Sequence, residues 1–186
     1  MATTGMATEG SSVAFCGDGG QEAAEQALAA NQCEELIVME QKIFACLMAQ
    51  PWEDAKEVCE KLCGRLVIAK SENKRLALHG FLHENLVEPE TDPDKEHQSE
   101  YPTASVWVGA SNKEDPWTPF YWVDATEMPS MKGMDGWGKN DPNVNDFAGV
   151  VLAIFGPGQY DDGIWFDREG VLSYIFVCES EDAPTG

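Results

Sequence analysis

Two histidines on a predicted helix have a spacing that metal sites use. His79 and His83 are four residues apart, with Glu84 beside the second, and residues four apart share one face of a helix. Imidazoles are good zinc ligands, but two ligands alone make a poor site. The neighbouring Leu78 and Phe81 indicate the apolar side of this helix. We therefore expect both histidines near the edge of that side, on a solvated face.

Recognisable catalytic motifs are missing from the sequence. It contains neither a G-x-S-x-G nucleophile elbow nor a glycine-rich phosphate-binding loop. Ser71 and Ser173 have no base at a recognisable spacing from them. Pairs of carboxylates are common, but in so acidic a chain their proximity along the sequence carries little information. We predict a binding protein and not an enzyme.

The charge of the chain narrows the classes of partner. It has 33 acidic and 12 basic residues, for a formal net charge of -21 at pH 7. Such a surface repels phosphate backbones and anionic lipid headgroups, which argues against nucleic acid and membrane surfaces. No apolar run approaches the roughly 20 residues that a membrane-spanning helix needs. Cations, basic proteins, neutral glycans and mineral surfaces remain, although acidity also serves solubility alone.

The elements that would position a binding site begin with helices. The length of 186 residues suits one domain with an extension. A stretch rich in Ala, Glu and Gln predicts a helix over Gln21 to Asn31. Apolar residues at intervals of three and four predict a second helix from Trp52 to Leu62, and Ser71 is a good N-cap for a third that runs towards Asn85.

Strands dominate the rest of the chain. A hairpin is predicted between Cys33 and Cys46, and four later apolar runs are separated by segments rich in Gly, Pro, Asn and Asp. Helices followed by strands favour the α+β class. The segment from Glu88 to Pro102 is predicted to be an exposed loop. The later runs are Val106 to Val108, Phe120 to Val123, Val150 to Phe155 and Val171 to Val177.

A series of motifs, in the right order from Cys33 to Glu179, resembles the C-type lectin domain family. They match the family's first helix, its W-I-G-L strand, its W-x-W-V-D-G-T segment, the Trp and E-P-N triplet of its long loop, its W-N-D position and its F-I-C-E ending. In this chain they are Trp52-Glu53-Asp54-Ala55 with Cys59 and Gly64-Arg65-Leu66, Trp107-Val108-Gly109-Ala110, Phe120-Tyr121-Trp122-Val123-Asp124-Ala125-Thr126, Trp137 with Asp141-Pro142-Asn143, Ile164-Trp165-Phe166-Asp167, and Phe176-Val177-Cys178-Glu179.

The resemblance implies a C-type-lectin-like fold, in which two helices pack on short antiparallel sheets beside a long loop region. We expect this domain to span residues 33–180. Residues 1–32 would be an extension made of a flexible tail and a short helix, and residues 181–186 a second flexible tail.

The resemblance also implies two disulfide bonds, Cys59 to Cys178 and Cys33 to Cys46. Cys59 and Cys63 are four residues apart and could alternatively be metal ligands on one helix face. The bridge that the resemblance assigns to Cys59 argues against this. The two positions of another common family bridge fall on Gly149 and Gly170, so that bridge is lost.

Two further cysteines leave alternatives open. Cys16 and Cys63 could pair with each other, link two chains or stay as buried thiols. Disulfides favour an extracellular or luminal location. Residues 1–15 lack the composition of a secretory signal, which favours the cytoplasm as the alternative.

The family's sugar-binding members hold one Ca²⁺ ion through carboxylates and amides, and vicinal sugar hydroxyls complete its shell. Carried over by position, Asp141, Asn143 and Asp167 can donate oxygen, and Pro142 between the first two is expected to be cis. The other two ligand positions are occupied by Phe166 and Phe147. Two of the five protein ligands are therefore missing, which weakens the predicted calcium site because calcium needs about six to eight oxygens.

Nearby residues could compensate for the missing ligands. Asp146 is the first candidate, together with Asn145, Asp161 and Asp162. If the site works, the resemblance implies mannose-type sugars, and Tyr160 and Trp165 could stack on the ligand or merely pack. The alternative interpretation of the Asp-Pro-Asn triplet is a plain turn.

Three functions follow from these observations. The first is a calcium-assisted lectin that binds a glycan or glycoprotein. The second is a calcium-independent module that binds a protein or another surface, which the apolar Phe147 and Phe166 favour. The third is an acidic structural or mineral-associated protein, which the net charge of -21 favours.

Overall fold

The computed structural model describes residues 15–16, 20–86, 104–112, 119–129, 136–138, 141–143, 147–154 and 165–184. Within these ranges the chain forms three helices and nine strands of the α+β class. The helices are α1 (Gln21–Ala30), α2 (Trp52–Lys61) and α3 (Glu72–Leu86). The strands are β1 (Cys33–Val38), β2 (Gln41–Gln50), β3 (Gly64–Leu66), β4 (Ala104–Ser111), β5 (Phe120–Trp122), β6 (Glu127–Met128), β7 (Ala148–Ile154), β8 (Trp165–Glu169) and β9 (Tyr174–Ser180).

The two family helices form where the sequence predicts them. α2 begins after Pro51 and buries one face, with Trp52, Ala55, Val58 and Cys59 in the core. α3 follows Ser71, whose hydroxyl oxygen accepts a hydrogen bond of 3.1 Å from the backbone N–H of Lys74. That bond satisfies one of the backbone donors that a helix start leaves open. No described helix is long and apolar enough to span a membrane.

The strands form one sheet in the order β1-β2-β9-β4-β5-β6. β3 pairs with β9, and β7 lies between β4 and β8. The pair β4 and β9 is parallel, whereas the other described pairs are antiparallel. The predicted run from Val171 to Val177 begins too early, because Val171 and Leu172 lie in the turn before β9 and are exposed. The predicted loop from Glu88 to Pro102 lies outside the described residues.

Three disulfide bonds tie the chain together. Cys33–Cys46 crosses the β1–β2 hairpin, and Cys59–Cys178 joins α2 to β9, as the resemblance implies. The third bond pairs Cys16 with Cys63, which decides among the three alternatives for these residues.

The helix of the extension packs on the rest of the chain. α1 contacts α2 and β1, and it buries Ala24, Ala27 and Leu28 in the cluster that contains Phe44 and Trp107. The Cys16–Cys63 bond adds a covalent link just before this helix. The boundary between extension and domain at residue 33 stays a prediction.

Aromatic rings fill the space of the missing family bridge. A Cβ atom on Gly149 would clash with the Trp52 ring, and one on Gly170 would clash with the Phe147 ring. These two rings meet edge to face, with their centroids 6.0 Å apart. The glycines therefore allow an aromatic contact where the family pattern has a disulfide.

A buried carboxylate organises the end of the domain. Glu179 is fully buried, and its two oxygens contact Arg65 Nε at 3.0 Å and Lys74 Nζ at 2.7 Å. Both cations also donate hydrogen bonds to backbone carbonyls, of Ala183 at 2.7 Å and of Pro184 at 2.6 Å. The segment after β9 is thus attached to the domain through this charge cluster.

Candidate functional site

A turn from the long loop reaches β8 through its backbone. Trp137 forms an isolated bridge with Trp165, and Gly138 N–H donates to the Trp165 carbonyl at 2.9 Å. Asp141 N–H in turn donates to the Gly138 carbonyl at 2.9 Å, and the Asp141–Pro142 peptide bond is cis. This chain of contacts places the Asp-Pro-Asn triplet beside the end of β8.

Three of the candidate oxygen donors lie together there. Asp167 is fully buried in β8, and its two carboxylate oxygens accept hydrogen bonds of 3.0 and 2.8 Å from Asn143 N–H. The side-chain amide of Asn143 donates to Asp141 Oδ1 at 3.2 Å. The turn is therefore held by hydrogen bonds within this set of residues.

A guanidinium supplies positive charge to this acidic turn. Arg168 donates to Asp141 Oδ1 at 3.3 Å and to the backbone carbonyl of Asp167 at 2.7 Å. Its central carbon lies 4.7 Å from the centroid of the Phe166 ring. A cation over an aromatic face is favourable, so Phe166 supports the guanidinium. Phe166 stands where the family pattern has a ligating Asn, and here its ring packs against the guanidinium.

The pKa of Asp141 is raised because this carboxyl is buried beside Asp167. Burial, followed by the hydrogen bond and negative charge of Asp167, raises the pKa of Asp141 to about 7 against the opposing effect of Arg168. Desolvation and a like charge both disfavour ionisation. One guanidinium therefore balances only part of the negative charge of this turn.

The described residues do not offer a calcium ligand set. Calcium needs about six to eight oxygen ligands. Asp141 Oδ1 and both Asp167 oxygens are already engaged with hydrogen-bond donors, and Phe166 and Phe147 have no side-chain oxygen. Across the described part of the chain, no group of three or more His, Cys, Asp or Glu side chains is arranged to hold a metal ion.

The remaining predicted site residues have different surroundings. Trp165 is 6% exposed and packs edge to face on Trp122, with 6.1 Å between ring centroids. The rings of His79 and His83 are 6.0 Å apart on α3, and both side chains are half-buried. The other predicted residues, Tyr160, Asp146, Asn145, Asp161 and Asp162, lie outside the described residues.

Sequence reasoning missed Arg168. A basic residue directly after the W-N-D position, next to a Phe in place of the Asn, is the signal that could have found it. Taken together, the fold and this turn define a binding module built on the C-type lectin architecture.

Comparisons with known proteins agree with this class. The family model described as Lectin C-type domain matches residues 48–180. The chain belongs to the C-type lectin domain family. No curated protein sequence matches it significantly.

Solved structures share the fold at low sequence identity. The mouse scavenger receptor C-type lectin carbohydrate-recognition domain is 20% identical, with a TM-score of 0.53 over 81% of this chain and 97% of that one. The cow CD23 domain, solved in the presence of GlcNAc2Man3 oligosaccharide, is 18% identical, with a TM-score of 0.55 over 81% and 95%. A calcium-independent type II antifreeze protein is 16% identical, with a TM-score of 0.53 over 77% and 88%. Domains of this family are binding modules.

Proposed function

We propose that this chain is a glycan-binding module that works without calcium. The observation that carries the proposal is the contact of Arg168 with Asp141. The Phe166 ring packs against the same guanidinium. The guanidinium gives positive charge to the acidic residues that the family pattern assigns to calcium. Because this cation is covalently part of the chain, a chelator cannot remove it.

The carboxylate oxygens that a calcium ion would need already accept hydrogen bonds within the protein. A calcium ion would have to compete with Arg168 for Asp141 and with Asn143 N–H for Asp167. It would also lack the oxygen that Phe166 has replaced. A reduced carboxylate count moves calcium affinity towards the millimolar range. The turn is instead stabilised by contacts within the protein.

The glycan part of the proposal comes from the relatives. The cow CD23 domain was solved in the presence of an oligosaccharide, and this chain has the same fold. The net charge of -21 disfavours anionic ligands, whereas neutral glycans and glycoproteins are compatible with it. The three disulfides support an extracellular or luminal location for this binding.

A calcium-independent module for a protein or another surface is the second candidate. Phe147 and Phe166 favour it, because they place apolar rings at ligand positions. Both rings are only partly exposed, however, and they pack on Trp52 and beneath Arg168. Their contacts within the domain explain their presence without a protein partner, which favours the glycan proposal.

A glycan array probed twice, once in excess EDTA and once in millimolar calcium, tests the proposal. We expect the same glycans to bind in both conditions with similar signal, because no removable cation takes part. Glycan binding only in calcium would contradict calcium independence. Binding of no glycan in either condition would contradict glycan recognition and favour the second candidate.

A further inference from the structure

An open pocket lies between the start of α2 and strand β5. Its volume is about 320 Å³, and its walls include the aromatic residues Trp52, Tyr121, Trp122 and Phe147. Small-molecule sites typically have volumes of about 300–1,000 Å³ and few polar groups among apolar walls. None of Asp141, Asn143, Asp167 and Arg168 belongs to the lining.

Two glycines leave room for two of the rings that line the pocket. Gly149 leaves room for the Trp52 ring, and Gly170 leaves room for the Phe147 ring. With side chains at these positions, neither ring could keep its place. Where the family pattern has a disulfide, this chain therefore has two of the rings that line the pocket.

The wall is fixed before any ligand arrives. The Trp52 indole donates to the Val108 carbonyl at 3.0 Å, and Trp52 N–H donates to the Gly170 carbonyl at 2.9 Å. Trp122 is buried, and its N–H donates to the Thr126 carbonyl at 2.8 Å. Walls that are already ordered lose little conformational entropy when a ligand binds.

The rim carries one carboxylate and one ammonium group. Glu53 and Lys56 line the pocket from α2, and their charged atoms are 3.9 Å apart. A neighbouring donor and acceptor suit hydroxyl groups, which can both give and accept hydrogen bonds. Trp52 and Trp122 are each only 3% exposed, so the aromatic surface open to the apolar face of a sugar ring comes from the partly exposed Tyr121 and Phe147. A net charge of -21 acts against an anionic ligand.

We infer that this pocket binds a neutral sugar ring, with one face on the aromatic wall and hydroxyls on Glu53 and Lys56. The inference rests on the proposed glycan-binding function and moves the sugar from the Asp141 turn to a separate site. The recognition determinant is the pairing of the aromatic wall with the charged rim.

Methyl glycosides of glucose, mannose, galactose and N-acetylglucosamine serve as probes in EDTA. Binding is followed by saturation-transfer NMR and by tryptophan fluorescence. The test variant is Glu53→Gln combined with Lys56→Gln, an exposed and a partly exposed residue of α2, and it also removes the Lys56–Glu60 contact of 3.5 Å. The matched control is Glu57→Gln with Lys61→Gln, a similar ion pair of 4.0 Å on α2 that lies outside the pocket lining.

We expect at least one glycoside to bind and its affinity to fall at least about tenfold in the test variant, since hydrogen bonds to charged groups are lost. The control variant should bind as the unaltered protein does. Glycoside binding that is kept in full in the test variant would overturn the pocket and leave the glycan function standing. Binding of none of the four would overturn the pocket, while the glycan array decides separately whether the glycan function stands.

Discussion

Replacing Arg168 with Gln removes the guanidinium that contacts Asp141 at 3.3 Å. Removal of one partner from a fully buried ion pair costs about 3–5 kcal/mol. The Arg168 side chain is 27% exposed, so water screens the pair and we expect a loss of about 1–3 kcal/mol. For a domain of this size that loss lowers the melting temperature by roughly 3–10 °C in differential scanning calorimetry.

The same variant should respond to calcium. With the guanidinium gone, Asp141 and Asp167 lack a nearby positive charge, and a divalent cation can partly replace it. We expect millimolar calcium to restore part of the lost melting temperature in Arg168→Gln and to leave the unaltered protein unchanged. A ligand stabilises a protein only when it binds the folded state more tightly than the unfolded state.

Arg168→Lys is the matched control, because it keeps the charge and loses the planar group that lies over Phe166. It should show a smaller loss of stability and no calcium response. An Arg168→Gln variant as stable as the unaltered protein would refute the reasoning. Equal stabilisation of both proteins by calcium would also refute it.

The remaining predictions concern the core and the surface. Glu179→Gln leaves the buried Lys74 and the partly buried Arg65 without their counter-charge and should lower the free energy of unfolding in urea by about 3–5 kcal/mol, whereas the exposed Glu60→Gln should change it little. Gly149→Ala should destabilise by about 1–3 kcal/mol through its clash with a buried indole. Gly80→Ala, with open space in α3, should instead stabilise by about 0.5–1 kcal/mol. Burial raises the pKa of Asp124, but its hydrogen bonds to Lys70 and Thr126 outweigh this and lower it to about 2. The ionised Asp124 therefore contributes stability above pH 3.8 that is lost as the pH falls towards 2. Because the pair is solvent-exposed we expect about 1 kcal/mol, and acid denaturation of Asp124→Asn should lack this contribution.

Much of the fold follows from local patterns in the sequence. The apolar spacing from Trp52 to Leu62 predicts α2, since the face that it defines is the face that the core buries. Ser71 predicts the start of α3 because its hydroxyl can accept a helix N–H. Val171 misleads, because an apolar residue at a turn has the same identity as one in a strand.

The site depends on contacts that no local pattern contains. The family motifs predict that Asp141, Asn143 and Asp167 come together, and they do. They do not predict that Arg168 reaches Asp141, since its neighbours along the chain differ from its neighbours in space. The aromatic wall likewise requires knowing which ring each glycine faces.

Calorimetric titration of calcium into the metal-stripped, oxidised protein tests most directly whether the Arg168 guanidinium takes the place of calcium at this site. The unaltered protein should release or absorb no saturable heat up to millimolar calcium while its fold stays intact. Saturable binding that disappears in both Asp141→Ala and Asp167→Ala would contradict the account and restore calcium as the cation of this site.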